Sequence, residues 1–264
     1  MDFKSTKKIL YALLPLSAFC FLLRYLQRKN ELLADGSLSD GAYLHYILLA
    51  LCGIAVIGSA VLLFSAAKHT SWEQFYNHKV MAVILFGTAG MLLIANILFW
   101  ISGTTPASVY SAASPYVSDF LNKLTPPLGI LAAACISLYA YCCYLGKKPS
   151  PLFYMCVSLY LVVRLIVCFQ AWNTDPSIHD YCFALLANIC TMLATFHLAG
   201  FSFRKGKRRI ALFWTLCAFL FTVITLADAL YDGDLGELLI HSALILLTGV
   251  NGIQLLLSTE DCSA

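Results

Sequence analysis

The chain has 264 residues, of which 60% are hydrophobic and only 12% charged, and its formal net charge is +3. A water-soluble domain carries about 25% charged residues because its surface must face solvent. A mean hydropathy of +0.79 therefore excludes a soluble globule, and the small, dispersed positive charge excludes a nucleic-acid-binding protein. The first partner implied is a lipid bilayer.

Apolar stretches of about 20 residues match a hydrocarbon core of about 30 Å at the helical rise. About eight qualify by this length: Ile9 to Gln27, Ala42 to Ala67, Val80 to Ser102, Pro127 to Leu145, Leu152 to Trp172, Tyr181 to Phe203, Ile210 to Tyr231 and Leu235 to Leu257. Lipid leaves backbone N–H and C=O groups no partner outside the segment, so each run is expected to be helical. Their continuity excludes the alternating strands of a barrel. The expected fold is all-α, a polytopic helical bundle forming one membrane domain over residues 1–264.

The first segment follows Lys4, Lys7 and Lys8 as a signal peptide would, but Leu16-Ser17-Ala18-Phe19-Cys20 puts Phe where cleavage needs a small residue. It reads as an uncleaved anchor. Lys and Arg then set orientation. Lys68 and Lys79, Lys147 and Lys148, and the run Arg204, Lys205, Lys207, Arg208, Arg209 fall on the amino-terminal side, whereas the intervening connections hold Arg28, Lys29 and Lys123, plus Arg24 at a helix end, while carrying Glu31, Asp35, Asp40, Asp119, Asp175, Asp180, Asp232 and Asp234. The expected location is a cell membrane, with both termini cytoplasmic. In the long external connection, Ser114-Pro115 reads as a helix start, and Tyr116, Val117, Phe120, Leu121 and Leu124 share one face. A surface helix over residues 115–124 is expected.

The offset that brings Arg24 onto Arg164 also brings Ser37 onto Ser177, Asp40 onto Asp180 and Lys68 onto Arg208. It outlines a candidate 4+4 parallel repeat of a kind some transporters use.

The 11 cysteines lie mostly inside the apolar runs, without CxxC spacing or mixed Cys/His clusters, which is the pattern of packing residues rather than of a metal centre. Cys168 and Cys182 stand near the outer ends of neighbouring segments, the one pairing suited to a disulfide. No cofactor is expected. No HExxH, GxSxG or phosphate-binding loop occurs, and no carboxylate pair sits on an intramembrane face, so the pattern is not that of an enzyme.

What remains is polar residues where they cost energy. Arg164 lies about 12 Å below the outer end of its helix, and a charge near the membrane centre costs about 2.5–3.5 kcal/mol on insertion scales. Asp228, near the outer end of the seventh segment, is its expected partner. Glu237, His241, Thr248 and Asn251 share one face of the eighth segment, and Asn188, Thr191 and Thr195 one face of the sixth. The candidate ligand-binding set is thus Arg164, Asn188, Asp228, Glu237 and His241. It suits a small solute that is bound or transported, although no segment shows the Gly/Pro break that transporter sites often have. The alternative is an interaction or sensory subunit serving a membrane protein partner.

The orientation predicts that, once native cysteines are replaced, a cysteine placed between Lys147 and Ser150 is shielded from an impermeant thiol reagent in intact cells and one at Asp175 is labelled. The opposite pattern inverts the topology.

Overall fold

The computed structural model describes residues 3–32, 38–39, 41–65, 79–103, 118–172, 178–203 and 206–257, with side chains for all of these except 3–11, 62–65, 178–180 and 257. Among the described residues there are eight helices: α1 (Phe3–Asn30), α2 (Tyr43–Ser65), α3 (Lys79–Ser102), α4 (Asp119–Tyr144), α5 (Pro151–Trp172), α6 (Ile178–Ser202), α7 (Arg208–Asp232) and α8 (Leu235–Leu257). Seven of them, α2 to α8, are long and apolar enough to cross a membrane.

Lipid exposure inverts the usual partition of side chains. Ile101, Val80, Ile54 and Ile57 are 79%, 73%, 65% and 65% exposed, while Arg24, Arg164, Glu237 and Asn251 are at most 2% exposed. Apolar side chains turned outward around a polar interior are stable only where the surroundings are hydrocarbon. The protein is a multi-pass α-helical membrane protein.

Consecutive helices from α3 to α8 pack side by side, and α8 returns to pack on α3, so six helices close a ring. Small residues allow the close approaches. Ala187, Thr191, Thr195 and Ala199 form a buried seam on α6, as interhelical contacts in membranes favour. Gly129 of α4 lies where a Cβ would overlap the Asn96 amide of α3. The α7–α8 turn uses Gly233 in the left-handed region, with φ of 71°, and its N–H donates to the Ala229 carbonyl. Only glycine adopts that conformation at no steric cost.

Outside the ring, α1 lies against α7, and α2 against both. Arg24 pairs with Asp228 and Arg28 with Asp232. Both partners advance by four residues, so α1 and α7 run parallel in one register. The apolar half of α1 accordingly meets α7 through Cys20 and Leu23 against Cys217, Leu220 and Ile224. The side chains of α1 are described from Ala12 on, and there it lies alongside a helix long and apolar enough to cross a membrane.

Several expectations change. The fourth helix starts at Asp119, not Pro127. The surface helix expected over 115–124 is described only from Ser118, and from Asp119 it runs directly into α4. The reason is local anchoring, since the Ser118 N–H donates to Gln170 Oε1 of α5 at 3.2 Å and Lys123 pairs with Asp119 at 2.7 Å. Extending α4 also brings Pro126 and Pro127 inside a continuous helix, as Pro15 is inside α1. Their missing N–H groups leave the Asn122 and Lys123 carbonyls without helical donors. The candidate 4+4 repeat is not echoed by the neighbours: α6 and α7 pack extensively, whereas α2 and α3, which the offset would match to them, are not a packed pair among the described residues. Ser37, Asp40, Lys68 and Ser177, on which that offset partly rests, lie outside the described residues. Cys168 and Cys182 are free thiols.

The Gly129 contact predicts that Gly129→Ala lowers stability in detergent by about 1–3 kcal/mol, the range for overpacking a closed site. Gly90→Ala, with open space around it, should be neutral or gain up to about 1 kcal/mol. Thermal unfolding of the two variants checks the ranking.

Candidate functional site

Two buried polar clusters occupy the outer half of the bundle. One sits inside the ring. Asp234 caps α8, its Oδ1 accepting the Gly236 and Glu237 N–H groups at 2.7 and 3.3 Å. A glutamate three residues after a cap commonly folds back to the cap backbone. Glu237 instead turns inward, where its Oε2 accepts from Arg164 Nη2 at 2.5 Å. His241, one turn further along α8, places Nε2 at 3.3 Å from the same oxygen. From α6, Asn188 offers Oδ1 to Arg164 Nε at 3.4 Å. The phenol of Tyr160, one turn before Arg164 on α5, faces Arg164, Glu237 and Asn96 of α3.

Arg164, Glu237, His241 and Asn188 are each at most 2% exposed, yet the cluster is not saturated. Arg164 Nη1, Asn188 Nδ2, Glu237 Oε1, His241 Nδ1 and Tyr160 Oη have no hydrogen-bond partner. Leaving a buried donor or acceptor unpaired costs about 1–3 kcal/mol, and five such atoms around one point far exceed the few scattered cases usual in native interiors. Elsewhere in the ring most polar groups are paired, although Gln254 Oε1 and Nε2 on α8 are not. Tyr154 Oη donates to Asn251 Oδ1 at 2.8 Å, and Ser158 and Thr195 share a hydrogen bond of 2.9 Å. Thr191, Thr222, Thr225 and Thr248 each donate to the carbonyl four residues back. These threonine stripes are satisfied by their own helices.

The second cluster joins α1 and α2 to the ring. Arg24 Nε donates to Asp228 Oδ1 at 2.7 Å, Arg28 Nε lies 3.4 Å from the same oxygen, and Arg28 Nη2 reaches both Asp232 oxygens at 2.7 Å. The Arg24 guanidinium also lies over the Phe183 ring of α6, 5.0 Å from its centre. Gln27 bridges Arg24 and His45 at 3.1 and 2.8 Å, and Glu31 accepts the first N–H groups of α2, from Leu44 and His45, at 2.8 and 3.1 Å.

Four of the five expected site residues, Arg164, Asn188, Glu237 and His241, come together. Asp228 does not join them, and the expected Arg164–Asp228 pair is replaced by Arg164–Glu237 and Arg24–Asp228. The physical reason is direction rather than depth: α7 packs between α6 and α8 and shows Asp228 to α1 outside the ring. Arg24, Arg28, Gln27 and His45 were missed. The available signal was spacing, because Arg24 and Arg28 repeat at the interval of Asp228 and Asp232. Among the described residues no group of His, Cys, Asp and Glu is arranged to hold a metal ion.

A cavity of about 430 Å³ opens between the outer ends of α3 and α4, lined by Phe99, Trp100, Gly103, Asp119, Asn122, Lys123 and Pro126. Phe99, one of the lining residues, is buried and lies against Gly236, the residue before Glu237.

Comparison with protein-family models, with curated proteins and with solved structures finds no match. The class rests on the chain itself: a multi-pass helical membrane protein with an unsaturated polar centre enclosed by six of its helices.

The pairing predicts a contrast between two double-mutant cycles. Arg24→Ala and Asp228→Ala should each destabilise, by about 3–5 kcal/mol for a broken buried pair, and the double variant should recover part of that loss. Arg164→Ala with Asp228→Ala should be additive within about 0.5 kcal/mol. Thermal unfolding in detergent distinguishes the two, and coupling in the second cycle with additivity in the first would reverse the assignment.

Proposed function

We propose that this protein binds a small polar solute at the Arg164–Asn188–Glu237–His241 centre and carries it across a cell membrane, with the cavity at the outer ends of α3 and α4 as the approach. The observation that carries the reading is the set of unpartnered buried donors and acceptors converging from α5, α6 and α8. The Arg24–Asp228 cluster leaves Asp228 Oδ2 open, but the Arg164 centre holds five such atoms on three helices. Polar atoms left open at a cost in stability are the mark of a site whose partner comes and goes. Transport then follows the orientation expected from the basic connections, with the outer cavity on the non-cytoplasmic side.

A second reading, an interaction subunit, is favoured by α2. Among the described residues it packs on α1 and α7, and Tyr43, Tyr46, Ile54, Ile57 and Val61 are turned outward. That flank suits a neighbouring helix as well as lipid.

Asn188→Leu and Tyr160→Phe separate the readings. Tyr160→Phe removes a buried hydroxyl without a hydrogen-bond partner and should leave stability unchanged or raise it by up to about 1–2 kcal/mol, whereas Asn188→Leu also takes the acceptor from Arg164 Nε and should lower it by about 1–3 kcal/mol. Uptake or binding of labelled small polar solutes by the protein in proteoliposomes should be lost in both variants. If wild-type vesicles take up none of the solutes offered, or the variants keep full uptake, the transport reading falls and the subunit reading stands.

A further inference from the structure

We infer that the solute is a small zwitterion of the α-amino acid type, with carboxylate and ammonium on neighbouring atoms; this rests on the solute-binding reading above and specifies its ligand. The warrant is the sign and sorting of the unpartnered atoms. Arg164 and Glu237 are opposite charges in direct contact, so the pair carries no net charge. His241 Nε2 faces the Glu237 carboxylate as a donor, and in that tautomer its unpartnered Nδ1 is an acceptor. Two donors, Arg164 Nη1 and Asn188 Nδ2, therefore stand open on the α5–α6 side, and two acceptors, Glu237 Oε1 and His241 Nδ1, on α8. The Tyr160 hydroxyl serves either.

A carboxylate placed on the donors gains charge-assisted hydrogen bonds from a guanidinium, and an ammonium placed on the acceptors gains the same from a carboxylate. Only a ligand with both groups fills all four positions while adding no net charge to a buried site. A simple anion satisfies Arg164 and Asn188 but faces Glu237 with a like charge. A simple amine meets the reverse problem at Arg164. Either brings an uncompensated charge into low dielectric, where the penalty is several kcal/mol per ion. A neutral amide matches the pattern of donors and acceptors without charge assistance, and so binds more weakly. The small size follows from burial, since every member of the centre is closed off from the surface.

The test uses the full chain in lipid nanodiscs and measures binding by calorimetry for glycine, L-alanine, acetate, methylammonium and acetamide. The expected result is that glycine or L-alanine binds at least about tenfold more tightly than the other three, a difference of ~1.4 kcal/mol, and that Asn188→Leu abolishes it. Acetate, methylammonium or acetamide binding as well as the amino acids would overturn the zwitterion assignment while leaving a polar-solute site in place. Binding of none of the five would also overturn it, and the proteoliposome screen with other solutes then decides separately whether the broader reading survives. Glu237→Gln adds an independent check: the centre becomes net positive, so preference should move from glycine to acetate. An unchanged preference would contradict the role given to Glu237.

Discussion

Charge inside a low-dielectric bundle has to be balanced within a few ångströms, and in this protein that constraint fixes which helices touch. Arg164 is held by Glu237, so α5 and α8 are tied across the ring interior. Arg24 and Arg28 are held by Asp228 and Asp232, so α1 is bound in register along α7. Breaking either pair strands a charge in hydrocarbon, at a cost comparable to a large part of a domain's stability. The inner end of the ring uses the same device in milder form. Arg208 of α7 is buried and donates from Nε and Nη2 to the Leu255 carbonyl at 2.9 and 2.8 Å, covering a carbonyl in the last turn of α8 with a cation where the helix dipole is negative.

The two outer clusters use similar residues for different ends. Around Asp228 the polar groups are shared among guanidinium, amide, imidazole and aromatic partners, and the product is a docked α1–α2 pair. Around Glu237 the same kinds of group leave one face each unpaired. Asp234 and Gly233 account for part of this, because the tight α7–α8 turn and its cap start α8 with Glu237 directed inward and His241 one turn behind it. The open atoms of this centre stand on α5, α6 and α8, while Tyr154–Asn251, Ser158–Thr195 and threonines bonded to their own helices pair most polar groups elsewhere in the ring.

Span lengths and helix faces were legible because hydropathy and the helical period report them directly. The stripe Glu237–His241 and the depth of Arg164 and Asn188 placed four members of the centre correctly. Arg164's partner was not legible, since sequence position gives depth along a helix but not the direction a residue faces once neighbours are chosen. Asp228 matched in depth and faced the wrong way. Glu237 was placed on the polar stripe of its helix, and only the Arg164 side chain reaching across the ring from α5 shows that the two are partners. The start of α4 was misplaced because Pro126-Pro127 resembles a boundary, whereas bonds from Ser118 to Gln170 and within Asp119–Lys123 carry the helix through it. Arg24 and Arg28 looked like interfacial residues at a helix end, and their burial depends on α7 lying beside them.

The account stands most directly on what occupies the space among Arg164, Asn188, Glu237 and His241. A density map of the protein in a lipid nanodisc, at a resolution that shows ordered water and small ligands, would measure it. The predicted result is non-protein density within about 3 Å of both Arg164 Nη1 and Glu237 Oε1, with Arg164 on Glu237 and Asp228 on Arg24. Arg164 paired with Asp228, or a centre in which these side chains close on one another and leave no space between them, would contradict it.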